Sequence, residues 1–305
     1  MNKADKLQTE LQSREANKAS RQAEMDERTR AYELKIKRYH KFKEEKKIAG
    51  LDPLSLHAIG DSWFDYPLDG NILLPPFSFG IVADSQLGSK GNPNPHILSR
   101  AYRGQASTAV MSWEKQAEMA NDWITYDPDA ILVSMGGDDI AGDQLAIYLT
   151  YGGGVKKTSD RFKGVLDLVK ASYLDLFALR DLFGQPAGAK KIPIFGHCYD
   201  YALPNGTPAL FLGPWLKPSF DFAYYNFSDA KQVVVDMIKQ FSQMLHDLAA
   251  DPANNFNLID TTNTIKPTNL PPDGWANELH PYTPGFGHCA DKFVDALRVA
   301  FPTRI

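Results

Sequence analysis

The apolar positions change rhythm at about residue 50. Over residues 1–47 there is no Pro or Gly, and charges of alternating sign surround a few apolar positions. Leu7, Leu11, Ala19, Ala23, Leu34, Ile36 and Phe42 are sparse and keep no heptad. Such a stretch is a good helix former with no continuous apolar stripe. It predicts a long solvated helix that docks its C-terminal half on the rest of the chain. The sharper alternative is an arm for a protein partner, for self-association, for secretion or for a membrane surface. Ala49, Gly50, Leu51, Asp52 and Pro53 end it.

Beyond that point short apolar runs alternate with stretches of helical period. The runs are Leu54, Leu56, Ala58 and Ile59, then 97–102, 130–135, 192–195 and 256–260. Between them lie a helix from Ser107 or Thr108 to about 122, one over 161–182, one over 228–249, and a last one opened by Thr283 with Pro284 at its first position. Five strands alternating with amphipathic helices predict a parallel sheet covered on both faces, with right-handed crossovers. The expected division is a charged helical arm over residues 1–50 and one α/β domain over residues 51–305.

Three segments interrupt the alternation. The stretch 64–95 carries Pro67, Pro75, Pro76, Pro93 and Pro95, and its aromatics with Leu73 and Leu74 predict an ordered pocket wall. Gly152, Gly153 and Gly154 form a glycine-rich lead into the helix over 161–182. The stretch 199–227 holds Trp215, Phe220, Phe222, Tyr224 and Tyr225, read as core, as an oligomer contact, or as a lid over an acyl or glycan group.

Composition narrows this picture only at its edges. With 43% hydrophobic and 23% charged residues in a chain of 305, the protein reads as soluble and globular. No apolar run reaches the ~18–20 residues of a membrane span, and the polar N-terminus has no signal-peptide core. A cytoplasmic protein, or one exported without a cleavable signal peptide, is expected. Cys198 and Cys289 are too few for a disulfide framework or a thiolate zinc site. The net charge of −4 is uneven: residues 1–48 hold 14 Lys/Arg against 9 Asp/Glu, or +5, leaving 19 against 28, or −9. An acidic body argues against a nucleic-acid partner.

The chemistry gathers at strand ends, where α/β sheets place reactive groups. Gly60-Asp61-Ser62 follows the first strand, Gly104 the second, Gly136-Gly137-Asp138-Asp139 the third and His197 the fourth, while His280-Pro281 precedes the last helix. Each alone is an ordinary turn sequence. Together, and in this order over roughly residues 54–300, they resemble the SGNH hydrolases, the GDSL-type lipases and esterases. The resemblance implies a three-layer α/β/α sandwich with a five-stranded parallel sheet of flavodoxin-like type. It also implies ester hydrolysis through an acyl-serine, with no cofactor and no metal. Ser62 would be the nucleophile and His280 its base, and the backbone N–H groups of Ser62 and Gly104 would face the oxyanion.

Two positions depart from the family pattern. Asp138 stands where the family has an oxyanion-donating Asn, and an ionised carboxylate donates nothing. Either it is protonated, or it turns away, or the scaffold is silent. Asn277 stands where the family has the acid that orients the His; Glu278, Asp273 or a carbonyl could serve instead. Asp61, Gly137 and Asp139 are expected to support the site, with Asp139 bonding amides near Gly60 or Ser62. Trp63, His197 and Tyr199 are candidate substrate contacts, although His197 reads equally as a rim histidine, and Cys198 with a histidine would be a rival dyad. The substrate would be a lipid, acetylated-glycan or small ester. The alternatives are a catalytically silent binding or adaptor protein, and a metal-assisted phosphodiesterase using Asp61, Asp138 and Asp139.

Overall fold

A computed structural model describes residues 3–46, 52–69, 72–73, 78–151, 157–184, 191–210 and 212–305. The expected arm terminus at 49–51, the wall residues Leu74, Pro75 and Pro76, and the glycines Gly152, Gly153 and Gly154 lie outside the described residues. Five strands, β1 (Ser55–Gly60), β2 (His96–Ser99), β3 (Ala130–Ser134), β4 (Ile194–His197) and β5 (Phe256–Ile259), form one parallel sheet in the order β2-β1-β3-β4-β5. The three central strands, β1, β3 and β4, are buried almost throughout, as a sheet covered on both faces requires.

The order of strands decides which helix covers which face. From β2 onward the chain always steps the same way across the sheet. Right-handed crossovers therefore put α3 (Trp113–Tyr126), α5 (Asp160–Phe183) and α7 (Phe227–Ala249) on one face. The step from β1 back to β2 runs the other way, so the segment between them and α8 (Thr283–Ala300) cover the opposite face. The fold is the expected three-layer α/β/α sandwich.

Several boundaries differ from expectation for local reasons. The helix foreseen from Ser107 or Thr108 is two helices, α2 (Ser107–Val110) and α3. The Asp139 carboxylate accepts from Ser107 N and Oγ at 2.7 and 2.8 Å, which fixes the start of α2, and extended Ser112 then opens α3. That same capture corrects the expected role of Asp139, which binds Ser107 rather than amides near Gly60 or Ser62. The glycine-rich turn after β3 is a short helix, α4 (Gly137–Ile140), and the aromatic stretch 199–227 holds another, α6 (Lys217–Phe222). Strand β2 stops at Ser99, yet the N–H groups of Arg100 and Tyr102 still bond to Ala58 O and Gly60 O at 2.7 and 2.8 Å. Thr283 is the first helical residue of α8, and Tyr282 occupies the cap position.

The arm is the helix α1 (Lys3–Lys46), and it packs against β2. It docks by its C-terminal half, as expected: Met25 and Tyr32 are buried and Tyr39 meets His96 edge-on at 5.6 Å, while residues 12–23 are exposed. The face in contact is a stripe of cations and tyrosines. Lys18 pairs with Glu114, Arg21 lies over Tyr102, and Arg28 binds Asp65 and Ala101 O. Further along, Tyr32 shares a hydrogen bond with Ser55, and Lys35 pairs with Asp84. These positions recur every three or four residues, the period of one helix face.

Candidate active site

Gly60 closes β1 and sets where the next residues can go. Its φ of +136° lies in the region open to glycine, and a Cβ there would stand 1.9 Å from Ser134 O on β3. The chain thus leaves the sheet against the end of β3, with Asp61 N donating to Ser134 O at 3.0 Å, and delivers Ser62 to the rim.

His280 arrives from the loop before α8, and its Nε2 lies 2.7 Å from Ser62 Oγ. The imidazole is held on three sides. Its Nδ1 is 3.0 Å from Asn277 Oδ1, the Tyr66 ring stacks on it at 4.2 Å between centroids, and Trp215 meets it edge-on at 5.9 Å. The Asn277 amide has one orientation only, because its Oδ1 also accepts from the N–H groups of Leu279 and His280 at 3.0 Å each, and its Nδ2 donates to Tyr66 OH at 2.7 Å. An acceptor at Nδ1 puts the ring proton there and leaves Nε2 free to accept from Ser62. Burial pushes His280 down to about 3, so the ring is neutral across the physiological range.

Of the other candidates for orienting His280, neither Glu278 nor Asp273 does so. Glu278 is fully buried and accepts from the N–H groups of Gly206, Trp215, Leu216 and Lys217 at 2.6–2.9 Å, pinning the loop that carries Trp215. Asp273 pairs with Lys266 and His288 at the surface.

The N–H groups of Ser62 and Gly104 have no acceptor among the described residues, and both residues line one cavity. Gly104 has φ of +74°, and a Cβ there would meet open space. The backbone conformation rather than crowding therefore calls for glycine. Asp138 lines the same cavity, half-buried, and no protein donor among the described residues bonds to its carboxylate. Burial and the nearby charge of Asp139 raise its pKa, favouring the neutral acid, which can donate.

Beneath Ser62 a buried polar chain ties three strand ends together. Ser134 Oγ donates to Asp61 at 2.6 Å, so His197 Nε2–H donates to Ser134 at 2.9 Å. Tyr199 OH donates to the other oxygen of Asp61 and accepts from Gly137 N at 3.0 Å. Trp63 N completes the set on Asp61 at 3.0 Å. Burial, and after it the charge of Asp138, raises the pKa of Asp61.

Two of the expected substrate contacts, Trp63 and Tyr199, line a cavity beside Ser62; His197 does not. His197 is wholly buried, pushed down to about 3 by that burial, and belongs to the chain under the site. Cys198 is buried with its thiol raised, and its Sγ faces Ile259 O, so no dyad forms with a histidine. Among the described residues no group of three or more His, Cys, Asp or Glu is arranged to hold a metal ion. Trp215, one of the aromatics named as a possible lid, does stand at the cleft, whereas Tyr66 and Ser134 were not foreseen. They lie in segments without a periodic pattern or inside a strand, where sequence alone gives a hydroxyl or a ring no role.

The cleft has two compartments that share Ser62, Asp138, Leu279 and His280. One holds about 60 Å³ and is walled by Ile140, Ala141, Leu216, Met237 and Ile238; the other holds about 370 Å³ and is lined by aromatic and aliphatic side chains with two arginines, Arg21 and Arg103.

No protein-family model matches the sequence, and no curated protein matches it. Solved structures do resemble the fold. The lipase Lip_vut3 from a goat rumen metagenome matches with a TM-score of 0.50 and 16% identity, over 80% of this chain and 97% of the other. Est24, a carbohydrate acetylesterase from Sinorhizobium meliloti, matches at 0.47 and 9% identity, over 81% and 99%. A candidate SGNH hydrolase from Slackia heliotrinireducens matches at 0.47 and 10% identity, over 81% and 100%. The fold is therefore one shared with the lipase Lip_vut3 over most of both chains.

Proposed function

We propose that the protein is a serine hydrolase of carboxylic esters, with Ser62 as nucleophile and His280 as its base. The observation that carries this reading is the unbroken contact chain from Ser62 Oγ through His280 to Asn277, beside two backbone N–H groups with no acceptor among the described residues. A serine hydroxyl attacks a carbonyl only when a positioned base takes its proton. As Ser62 Oγ bonds to the acyl carbon, its proton passes to His280 Nε2, and the carbonyl oxygen gains the negative charge. The N–H groups of Ser62 and Gly104 stabilise that charge, each worth about 3–4 kcal/mol in comparable sites. His280 then gives the proton to the departing alcohol. Water repeats the cycle on the acyl-serine. Asn277 orients the ring as an Asp would, with less stabilisation of the imidazolium. The compartment walled by Ile140, Ala141, Leu216, Met237 and Ile238 is apolar, which suits the acyl half of an ester.

Labelling with a fluorophosphonate probe, together with turnover of p-nitrophenyl acetate, tests the proposal. Ser62→Ala is expected to abolish both, with at least a ~10³-fold loss of kcat; an unlabelled wild type, or unchanged turnover in the variant, removes Ser62 from the mechanism. The second reading, a silent scaffold that binds without cleaving, is favoured by Asp138 at the oxyanion position and predicts an unlabelled wild type. A metal-assisted phosphodiesterase is disfavoured because Asp61 and Asp139 each spend their carboxylate oxygens on protein donors.

A further inference from the structure

The larger compartment of the cleft is not built by the α/β domain alone. Arg21, from the N-terminal helix, lines it together with Ser62, Gly104 and His280. Its guanidinium carbon stands 4.5 Å from the centroid of the Tyr102 ring, two residues before Gly104. Arg103 lies 4.6 Å from the same ring, but its charge is already met by Asp65 at 3.1 Å. Glu24, one turn along the arm from Arg21, is committed to Arg28 at 2.5 Å. Among the described residues no carboxylate pairs with Arg21, an exposed side chain whose guanidinium lies on the Tyr102 ring between this compartment and a second groove along the arm.

The arm is fixed where this matters. Arg28 lies seven residues on, on the same face, and donates to Ala101 O at 2.8 Å and to buried Asp65 at 2.6 Å. Both partners belong to the segments that carry Gly104 and Ser62. The register of the helix is therefore pinned beside the oxyanion donors, and Arg21 cannot slide along the cleft without breaking those bonds.

We propose that the arm completes the substrate site, and that Arg21 selects esters whose leaving alcohol carries an anionic group. This rests on the esterase reading above. The acyl group enters the apolar compartment, so the alcohol half occupies the larger one, where the Arg21 guanidinium lies on Tyr102 at the rim. A planar guanidinium on an aromatic face suits a carboxylate or another oxyanion.

The test compares phenyl acetate with 4-acetoxybenzoate, which differ by one carboxylate on the leaving group, using the full chain. Arg21→Ala is expected to lower the ratio of kcat/KM for the anionic over the neutral ester by about two- to fivefold, through KM, in a salt-sensitive way. Arg21→Lys should recover part of the ratio. Arg30→Ala removes the same charge from the far face of the arm, nine residues and half a turn away, and should keep the wild-type ratio. Equal losses on both esters, or the same shift in Arg30→Ala, overturn the proposal. A second readout needs no turnover: binding of 4-hydroxybenzoate, followed by calorimetry, should weaken about two- to fivefold in Arg21→Ala. Unchanged binding overturns the role of Arg21. Absence of turnover with every ester, alongside an Arg21-dependent affinity, would strike the hydrolase reading alone.

Discussion

The residue that most constrains the chemistry is Asp138, because its charge decides whether it helps or opposes an oxyanion. No protein donor among the described residues holds its carboxylate, and burial with the charge of Asp139 raises its pKa. The neutral acid is therefore favoured below a pKa that lies above the ordinary carboxylate range. In that form it can donate to an oxyanion; once ionised it accepts and repels. Esterase activity of the wild type is thus expected to fall as pH rises through the raised pKa of Asp138, measured as kcat/KM between about pH 5 and pH 8. Asp138→Asn supplies a donor that does not titrate and should lose that descent. His280 cannot mimic the descent, because a base that loses its proton as pH rises would raise activity, and burial lowers its pKa besides. A descent of the same size in the Asn variant would assign it to another group.

Among the elements, the arm shows best what a sequence pattern hides. The expected helix is there, but its aliphatic residues are not what docks it. The contact face repeats at heptad-like spacing through Lys18, Arg21, Met25, Arg28, Tyr32 and Lys35, and only Met25 would register on an apolar scale. A search for periodic Arg and Tyr, whose long side chains cover surface while keeping polar tips, would have found it. The energetic centre is Arg28. Its pair with Asp65 is close and Asp65 is buried, so removing the guanidinium leaves Asp65 with Arg103 alone. Arg28→Ala is expected to lower unfolding stability by about 2 kcal/mol in urea titrations, less than a fully orphaned buried charge would cost. In an Asp65→Asn background the same substitution should cost clearly less, because no buried charge remains to be stranded; equal costs in both backgrounds would place the effect in helix packing instead.

At the scale of the whole molecule, the strands and the main helices could be read from periodicity, because a sheet buried on both faces demands continuous apolar runs. Ser62 and His280 were legible only as a resemblance in order and spacing, since nothing in either neighbourhood says that residues 218 positions apart will touch. What could not be read is the polar chain beneath them. Ser134 sits inside an apolar strand, and His197 and Tyr199 look like rim residues. Only the fold shows that the ends of β1, β3 and β4 converge on one carboxylate. That convergence makes Asp61 a joint between strands, and its raised pKa sets a sign for stability. A carboxyl group whose folded pKa exceeds its unfolded one binds its proton more tightly when folded, so its contribution to stability declines as pH rises from the ordinary carboxylate range to the raised value. Tyr199→Phe removes one donor that eases the ionised form, and also leaves Gly137 N–H without its acceptor. The loss should therefore be larger where Asp61 is ionised: about 1–3 kcal/mol near pH 8 and less near pH 5, by chemical denaturation at the two values. A Tyr199→Phe cost that stays the same at both pH values would mean that Asp61 carries no pH-dependent load in the folded state, and that the phenol acts through packing and Gly137 alone.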